Sequence, residues 1–250
     1  MTPTRYADMH LGIVCPIANE EATIEAFVEE VLAVCGRFSF GQVSFFLVVD
    51  RVSTDNSLDI TRRMAAAMKP VQCVWAPETR SVADAYKRGY REAIQAGCDW
   101  IQQIDAGFSQ QPRDIVKFFE SMEAGKDCVF GSRFMRGGYF EKRFWRRYLV
   151  SRGGTLLTNL ALGTGMTDMT SSFECYKRRV LQEILAAGIQ AKGPFFQTEI
   201  RIHAHRFDYA EVPIHYSNPS LTVRKGAIKE SLCVLWRLFK AKHGKGRSPG

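Results

Sequence analysis

A single carboxylate, Asp105, stands in the middle of the chain where an apolar segment gives way to a polar one. Trp100, Ile101 and Ile104 precede it in the pattern of a buried strand. In open α/β sheets, ligands bind beyond the carboxyl ends of the strands, and a carboxylate there can hold a divalent cation against the phosphates of a nucleotide. The other interpretation is that Asp105 only caps the helix that Pro112 opens. The stretch by itself favours neither.

Strands and helices alternate on both sides of Asp105 in the first half of the chain. The apolar runs and helical spacings predict strands at 11–16, 43–50, 71–75, 100–104 and 128–131, and helices that begin near residues 24, 58, 82 and 112. Pro16 is expected to stop the first strand, and Asn19 to cap the helix after it. The alternation predicts an α/β fold with a mostly parallel, Rossmann-like sheet flanked by helices.

Charge divides the chain into two halves. Residues 1–130 hold 13 Lys and Arg against 18 Asp and Glu, a net charge of −5, whereas residues 131–250 hold 21 against 8, a net charge of +13. Such a basic half requires an anionic partner, such as ligand phosphates, a membrane surface or nucleic acid. Because an acidic, ordered half precedes it, we expect a phosphate-bearing substrate and no nucleic acid.

The second half is less regular. Its patterns predict a helix over 149–162, a polar loop over 168–173, a short helix over 180–187 and a strand over 209–216. This last strand should lie at a sheet edge, because Pro213 lacks the N–H that a central strand needs. Seven dispersed cysteines, no apolar run near ~18 residues and no signal-like N-terminus predict a cytoplasmic protein with reduced thiols.

A terminal helix is predicted from Ile228, with a basic tail from Lys240 that is expected to be disordered. The apolar stripe of this helix could lie on an anionic membrane surface, with peripheral attachment at the inner face, or pack against the protein's own core. The sequence leaves both options open. The stripe comprises Ile228, Leu232, Leu235, Trp236 and Phe239.

Several motifs follow one another in a fixed order along residues 9–235. They are Asn19-Glu20-Glu21, Asp50 with Ser53-Thr54-Asp55, Asp105, Gly131-Ser132-Arg133, the segment 147–153, Asp168 to Phe173, Phe195 to Glu199, and Glu211 to Ile214. Together they resemble the family-2 glycosyltransferases of the GT-A fold, and most closely the polyprenyl-phosphate sugar transferases that are similar to dolichol-phosphate mannose synthase.

The resemblance implies an inverting enzyme that moves a sugar from a GDP- or UDP-sugar to a polyprenyl phosphate or similar acceptor, with Mg²⁺ or Mn²⁺ as cofactor. It implies a nucleotide-sugar-binding half over 9–131, an acceptor-side half of the same domain over 132–241, and a basic flexible tail over 242–250. Two alternatives stay open: a family-2 transferase with a soluble acceptor, and a non-catalytic member that only binds nucleotide.

The resemblance also assigns roles on the donor side. Pro16, Glu20 and Asp50 would line the nucleotide, while Asp105 and Ser109 would contact the cation. The family's D-x-D motif stands here as Asp105-Ala106-Gly107, without its second acid, so we expect a weak metal site. Glu20 could instead be an ordinary acid in the first turn of a helix.

On the acceptor side, the resemblance makes Asp105, Asp168, Arg133 and Arg147 the catalytic residues. Arg133 and Arg147 would bind phosphate, with Arg152 as a weaker candidate, because a guanidinium binds phosphate through two hydrogen bonds. Asp168 would orient the acceptor or act as a base, unless it only caps a loop. Further assignments are Glu199 as a ligand of Arg133, and a looser match of the late phosphate-binding residues to Arg224 and Lys225.

Overall fold

The computed structural model describes residues 6–217 and 226–244. The strands are β1 (His10–Ile17), β2 (Gln42–Asp50), β3 (Val71–Ala76), β4 (Trp100–Gln103), β5 (Cys128–Ser132), β6 (Tyr139–Phe140), β7 (Glu174–Lys177), β8 (Tyr209–Pro213) and β9 (His215–Tyr216). The α-helices are α1 (Ile24–Cys35), α2 (Ser57–Ala67), α3 (Val82–Gln95), α4 (Ile115–Glu123), α5 (Trp145–Leu162), α6 (Arg178–Ala186), α7 (Phe195–Ala204) and α8 (Ala227–Gly244). In this part of the chain, no helix combines the length and apolarity needed to cross a bilayer.

Seven strands form the main sheet in the order β3-β2-β1-β4-β7-β5-β8. The pairs β1–β2, β2–β3, β1–β4 and β5–β8 are parallel, whereas β7 runs antiparallel to both of its neighbours, β4 and β5. The sheet is therefore mostly parallel, as predicted. The exception is β7, which the sequence did not predict because its four residues have no run of apolar or alternating side chains.

Helices cover both faces of the sheet. Leu11, Ile13 and Cys15 of β1 are buried in one apolar cluster with side chains of α1, α2 and α4. Val14 of the same strand is buried in a second cluster with side chains of α3, α6, α7 and α8. A strand that is buried on both faces needs a continuous apolar sequence, which is why β1 and β2 were recognisable from the sequence.

Two local predictions near the first strand are wrong. Pro16 does not stop β1, which continues to Ile17. It lies beyond Val14, the last residue of β1 that pairs with β4, so its missing N–H is tolerated as at a sheet edge. Asn19 does not cap α1, whose N-cap is Thr23. Its side-chain oxygen instead accepts a hydrogen bond from the backbone N–H of Thr54, 2.9 Å away.

The predictions for the second half need smaller adjustments. The strand predicted over 209–216 is divided into β8 and β9, and β8 forms one edge of the main sheet, where Pro213 was expected. Helix α8 continues past Lys240 to Gly244, so the predicted tail begins as helix. Arg224 and Lys225, and residues 245–250, lie outside the described residues.

Candidate active site

The ends of three adjacent strands place the predicted donor-side residues on one edge of the sheet. Strands β2, β1 and β4 are neighbours and run parallel. Asp50 is the last residue of β2, Pro16 is the next to last of β1, and Asp105 follows β4 by two residues. Asp50 is buried and accepts a hydrogen bond from the Thr79 hydroxyl, 3.0 Å away. This edge is where an open α/β sheet binds its ligand.

Asp105 is a partly exposed carboxylate held by three donors. The hydroxyls of Tyr86 and Ser172 each donate to it, as does the side-chain nitrogen of Gln110 at 3.1 Å. Burial raises the pKa of Asp105, and the hydrogen bonds from Ser172 and Tyr86 and the charge of Arg147 only partly offset that rise. A half-buried carboxylate with a raised pKa and a nearby cationic side chain is typical of a functional site.

The sequence did not indicate which residue would position Asp105 from the helix layer. Tyr86 on α3 does so, and its ring stacks on Tyr90 and Phe196 with centroid distances of 6.0 and 5.9 Å. The available signal was the i, i+4 spacing of Tyr86 and Tyr90, which places both rings on one helix face. Most aromatic pairs at this spacing only pack in a hydrophobic core. This pair also packs in the core, but the Tyr86 hydroxyl in addition contacts Asp105.

Gly107 occupies the place of the second acid of the D-x-D motif. It adopts φ +75°, and a Cβ atom built there would lie 2.9 Å from Oε2 and 3.1 Å from Oε1 of Glu20. The Glu20 carboxylate therefore lies in the space that a side chain at position 107 would enter. Burial raises the pKa of Glu20, a hydrogen bond from Thr23 lowers it, and the charges on Asp55 and Asp105 raise it further.

The loop that carries Glu20 is hydrogen-bonded to the first residue of α2 and to the turn before that helix. The Glu20 N–H donates to Ser57 Oγ at 2.8 Å, and the Glu21 N–H donates to Asp55 Oδ2 at 3.0 Å. Within the loop, the Thr23 hydroxyl donates to Glu20 Oε2 at 2.7 Å. These contacts fix the Glu20 backbone and one of its carboxylate oxygens beside Gly107.

Ser109 lies in the same loop as Asp105 and is half-buried. Its backbone carbonyl accepts a hydrogen bond from the Ser217 N–H at 3.0 Å, which ties the loop to the segment after β9. Carboxylate and hydroxyl oxygens of this kind suit Mg²⁺ or Mn²⁺. Within residues 6–217 and 226–244, no three His, Cys, Asp or Glu side chains group in a way that could hold a metal ion. A cation here would need ligand oxygens as well.

Arg133 and Asp168 form a buried ion pair. Arg133 Nε and Nη2 lie 2.8 and 2.9 Å from the two Asp168 oxygens, and the Arg133 backbone N–H donates to the same carboxylate at 3.1 Å. Burial alone would raise the pKa of Asp168, but Arg133 and then Arg201 oppose it, and the net pKa lies well below its usual range. Asp168 is therefore ionised at neutral pH and weakly basic, which favours the orienting role over the base.

Arg147 and Arg152 differ in position. Arg147 is half-buried on α5, its guanidinium carbon lies 6.0 Å from the Tyr216 ring centroid, and its charge lowers the pKa of Asp105. Arg152 is exposed and donates to the Thr167 carbonyl at 3.3 Å. Arg147 thus lies on the side of α5 towards Tyr216 and Asp105, whereas Arg152 holds the loop that carries Asp168.

Glu199 does not contact Arg133, contrary to the expectation. Its carboxylate accepts the backbone N–H groups of Gln190 and Ala191 at 2.8–3.1 Å. Two other acids, the half-buried Glu211 and the fully buried Glu174, support the loop around Asp168, and neither was singled out as a site residue. Glu211 accepts from the Thr167 and Asp168 N–H groups, and Glu174 pairs with Arg201 at 2.7 Å.

Arg201 is fully buried and ties three separate segments together. It donates to the backbone carbonyls of Asp168, Gly131 and Ser171, in addition to its ion pair with Glu174. A basic residue within the apolar run of α7 was the only signal in the sequence, and it gives no partner. The buried pair Arg201–Glu174 therefore holds the polar loop before β7 in place. The sequence pattern does not predict that these two residues pair.

Comparison with known proteins adds to this geometry. The model of the family described as glycosyl transferase family 2 matches residues 12–185. The polyprenol monophosphomannose synthase of Mycolicibacterium smegmatis is 27% identical over 216 residues, which cover 85% of this chain and 79% of that protein. The undecaprenyl-phosphate mannosyltransferase of Micrococcus luteus is 30% identical over 172 residues, which cover 68% of this chain and 70% of that protein.

Solved structures show the same architecture. The glucosyl-3-phosphoglycerate synthase of Mycobacterium tuberculosis, crystallised with Mn²⁺, uridine diphosphate and phosphoglyceric acid, superposes with a TM-score of 0.67 at 18% identity. The alignment covers 93% of this chain and 79% of that one. The fold predicted from the sequence is confirmed.

Proposed function

The chain belongs to glycosyl transferase family 2, and from that premise we propose that it transfers a sugar from a nucleotide sugar to a polyprenyl phosphate, with inversion at C1. The observation that carries the proposal is the place of Asp105. It lies beyond the carboxyl end of the central strand β4, next to β1 and two strands from β2, with Arg147 close enough to influence its pKa. The named relatives supply the acceptor class, because both act on polyprenyl phosphates by name.

The donor nucleotide would lie along Pro16 and Asp50, with its diphosphate towards Asp105. Asp50 has one hydroxyl donor and one backbone N–H donor on its carboxylate, which leaves capacity to accept from a ribose or base. The donor would be a GDP- or UDP-sugar. Support for a uridine nucleotide comes only from the fold neighbour of Mycobacterium tuberculosis, which was crystallised with uridine diphosphate.

Asp105 and Ser109 would hold Mg²⁺ or Mn²⁺, and the diphosphate would complete the coordination. When bound, the cation supplies electrostatic stabilisation of the negative charge that develops on the leaving diphosphate. The oxygen donors at this edge fit such an ion. With few protein ligands, the ion should bind weakly in the absence of nucleotide.

The acceptor is already ionised, which decides what the protein must contribute. A phosphate oxygen of the acceptor forms the new bond to the sugar C1 while the bond from C1 to the diphosphate oxygen breaks, and the electron pair leaves with the nucleoside diphosphate. No proton has to be removed from the attacking oxygen, so little base catalysis is required. This agrees with Asp168, which is paired with Arg133 and has a lowered pKa. Arg147 would stabilise phosphate charge in the cleft.

The experiment that tests this function supplies GDP- and UDP-sugars with and without Mn²⁺ or Mg²⁺ and measures release of nucleoside diphosphate. We expect release only when a donor, a cation and a short polyprenyl phosphate are all present. Equal release with phosphoglyceric acid as acceptor would instead assign a soluble acceptor. Nucleotide binding without release under any condition would mean that the chain is a non-catalytic family member.

Peripheral membrane attachment would bring the protein to such an acceptor, and two helices carry exposed apolar side chains suited to it. On α5, Leu156 and Leu160 are 60% and 75% exposed, and on α8 Trp236 is 56% exposed. The helices meet at their C-terminal ends, where the Lys242 ammonium donates to the Leu162 carbonyl. The stripe predicted on α8 divides: Leu235 packs into the core, whereas Ile228, Leu232 and Trp236 remain exposed.

Basic side chains accompany this apolar surface and favour an anionic membrane over a neutral one. Lys142 and Arg143 are exposed in the turn just before α5, Arg146 is exposed in the first turn of α5, and Lys229 and Arg237 are exposed on α8. Large exposed apolar areas are uncommon on proteins that do not bind a partner or a membrane there. Apolar side chains beside basic ones are the pattern of a helix that lies in the interface of an anionic bilayer.

We predict that Leu156→Glu/Leu160→Glu weakens co-sedimentation with vesicles containing anionic lipid on the order of tenfold or more, because burial of two leucines is lost and repulsion is added. Both side chains are exposed, so the melting temperature should hardly change. The matched control, Ala66→Glu/Ala67→Glu, adds the same charges to exposed positions of α2, on the other face of the sheet. Equal binding by both variants and the parent protein would rule out this surface.

A further inference from the structure

We infer that Glu20 supplies the second protein carboxylate of the cation site, in place of the acid that is missing at Gly107. The inference rests on the proposed function, since it assumes that a divalent cation binds at Asp105. It changes the role that the family resemblance gave Glu20, from lining the nucleotide to holding the metal. It also means that the chain has not lost the second charge of the D-x-D motif, but provides it from the loop after β1.

The space at position 107 is the first support. A Cβ added to Gly107 would come within 2.9 and 3.1 Å of the two Glu20 oxygens. An aspartate at this position would point its carboxylate from that Cβ into the same region. The carboxylate of one residue therefore stands where the other would be, and the two could not both occupy the space without a shift of Glu20.

The backbone of Gly107 is the second support. Its φ of +75° lies in the left-handed region, which glycine adopts without the penalty that a side chain would incur. The loop after β4 therefore takes a form that suits glycine and leaves the adjacent volume to a neighbouring chain segment. Glu20 fills that volume with a carboxylate rather than with an apolar side chain.

The third support is that Glu20 is held in place but not neutralised. Ser57 accepts from its backbone N–H at 2.8 Å, and the Thr23 hydroxyl donates to Oε2 at 2.7 Å. A carboxylate has about four acceptor positions, so one hydroxyl donor leaves room for a cation. None of the ion pairs found within residues 6–217 and 226–244 includes Glu20. The Glu20 carboxylate is close enough for its charge to interact with that of Asp105. A divalent cation between the two would balance both negative charges.

Calorimetric titration of Mn²⁺ in the presence of saturating nucleoside diphosphate tests the inference without measuring activity. We expect Glu20→Gln, which keeps the acceptor for Thr23, to weaken Mn²⁺ binding about tenfold or more. The matched control is Glu25→Gln, which removes the same charge from an exposed position in the first turn of α1 and should leave Mn²⁺ binding unchanged. Nucleoside diphosphate binding measured without metal should be similar in all three proteins.

A rescue variant makes the test specific to position. Glu20→Ala should weaken Mn²⁺ binding, and adding Gly107→Asp to that variant should recover a large part of it, because the new carboxylate enters the space that Glu20 has left. Unchanged Mn²⁺ affinity in Glu20→Gln, or a loss of nucleotide affinity in the absence of metal, would overturn the inference and return Glu20 to the nucleotide. If the unmodified protein binds no Mn²⁺ with nucleoside diphosphate, the proposed function itself is at fault.

Discussion

Replacing Asp105 with asparagine should abolish sugar transfer while the protein stays folded. The carboxylate lies beyond the central strand, and in the proposed function it holds the cation that stabilises the leaving diphosphate. Losing about 4 kcal/mol of that stabilisation corresponds to a rate roughly 10³-fold lower. Burial already disfavours the charged form of Asp105. Asparagine keeps one acceptor oxygen, and the hydroxyl of Tyr86 or Ser172 can accept from its amide N–H, so the free energy of unfolding should change little. The measurements are nucleoside diphosphate release and thermal melting.

Asp99→Asn is the matched control for Asp105→Asn. Asp99 precedes the same strand at its opposite end, where it accepts the His10 N–H at 2.9 Å, and an asparagine oxygen can accept that bond as well. Transfer by Asp99→Asn should therefore be close to that of the unmodified protein. Full activity in Asp105→Asn would show that the chemistry is centred elsewhere in the cleft.

The largest loss of stability should come from Asp168→Asn. Arg133 is buried among the rings of Phe134, Phe140 and Tyr216, and Asp168 is the carboxylate that neutralises it. Removing one member of a buried ion pair leaves the other charge unpaired, which costs about 3–5 kcal/mol. Urea unfolding at neutral pH should show this loss in the free energy of unfolding.

A double variant separates two causes of the stability loss: the unpaired charge on Arg133 and the general disturbance of the loop. Arg133→Met/Asp168→Asn removes the stranded cation, and the asparagine oxygen still accepts the Thr170 N–H, so the double variant should be more stable than Asp168→Asn alone. A loss smaller than about 1 kcal/mol in Asp168→Asn, which is the range of exposed pairs, would mean that this pair does not stabilise the fold.

The pH dependence of the same pair has a defined sign. The pKa of Asp168 in the folded protein is below its unfolded value of about 3.9. The ionised side chain therefore contributes stability that is present above that value and is lost as the pH falls towards the folded pKa. The gap in unfolding free energy between the unmodified protein and Asp168→Asn should narrow below about pH 4, and a constant gap would contradict the assignment.

The sequence predicts the donor side of the fold well because its signals there are local. Strands β1 and β2 are buried on both faces and read as continuous apolar runs, and each ends at or near a residue of the site. Asp105 likewise comes shortly after the end of a buried strand, β4. The parallel arrangement then brings Asp50, Pro16 and Asp105 to one edge without any knowledge of side-chain contacts.

Pairings between distant residues are what the sequence does not predict. Arg133 was assigned to phosphate, yet its closest anion is Asp168, 35 positions along the chain. Tyr86 lies in the helix predicted from residue 82 and was given no role there, yet its hydroxyl donates to Asp105. Glu20 and Gly107 illustrate the same limit, because the space beside a glycine is visible only when the neighbouring loop is in place. Each depends on tertiary contacts that no local pattern specifies.

Strand β7 has a consequence for how the chain can be made and divided. Strands β4 and β5 are successive in the chain but are joined in the sheet only through Glu174–Lys177. During synthesis, both present unpaired edges until that later segment emerges, a state that invites aggregation. A cut near residue 131 would separate two regions that share one hydrogen-bonded sheet. The two halves predicted on either side of residue 131 therefore share one sheet and are not exchangeable modules. In a recombinant made from two relatives at this boundary, β7 of one parent would have to pair with β4 of the other.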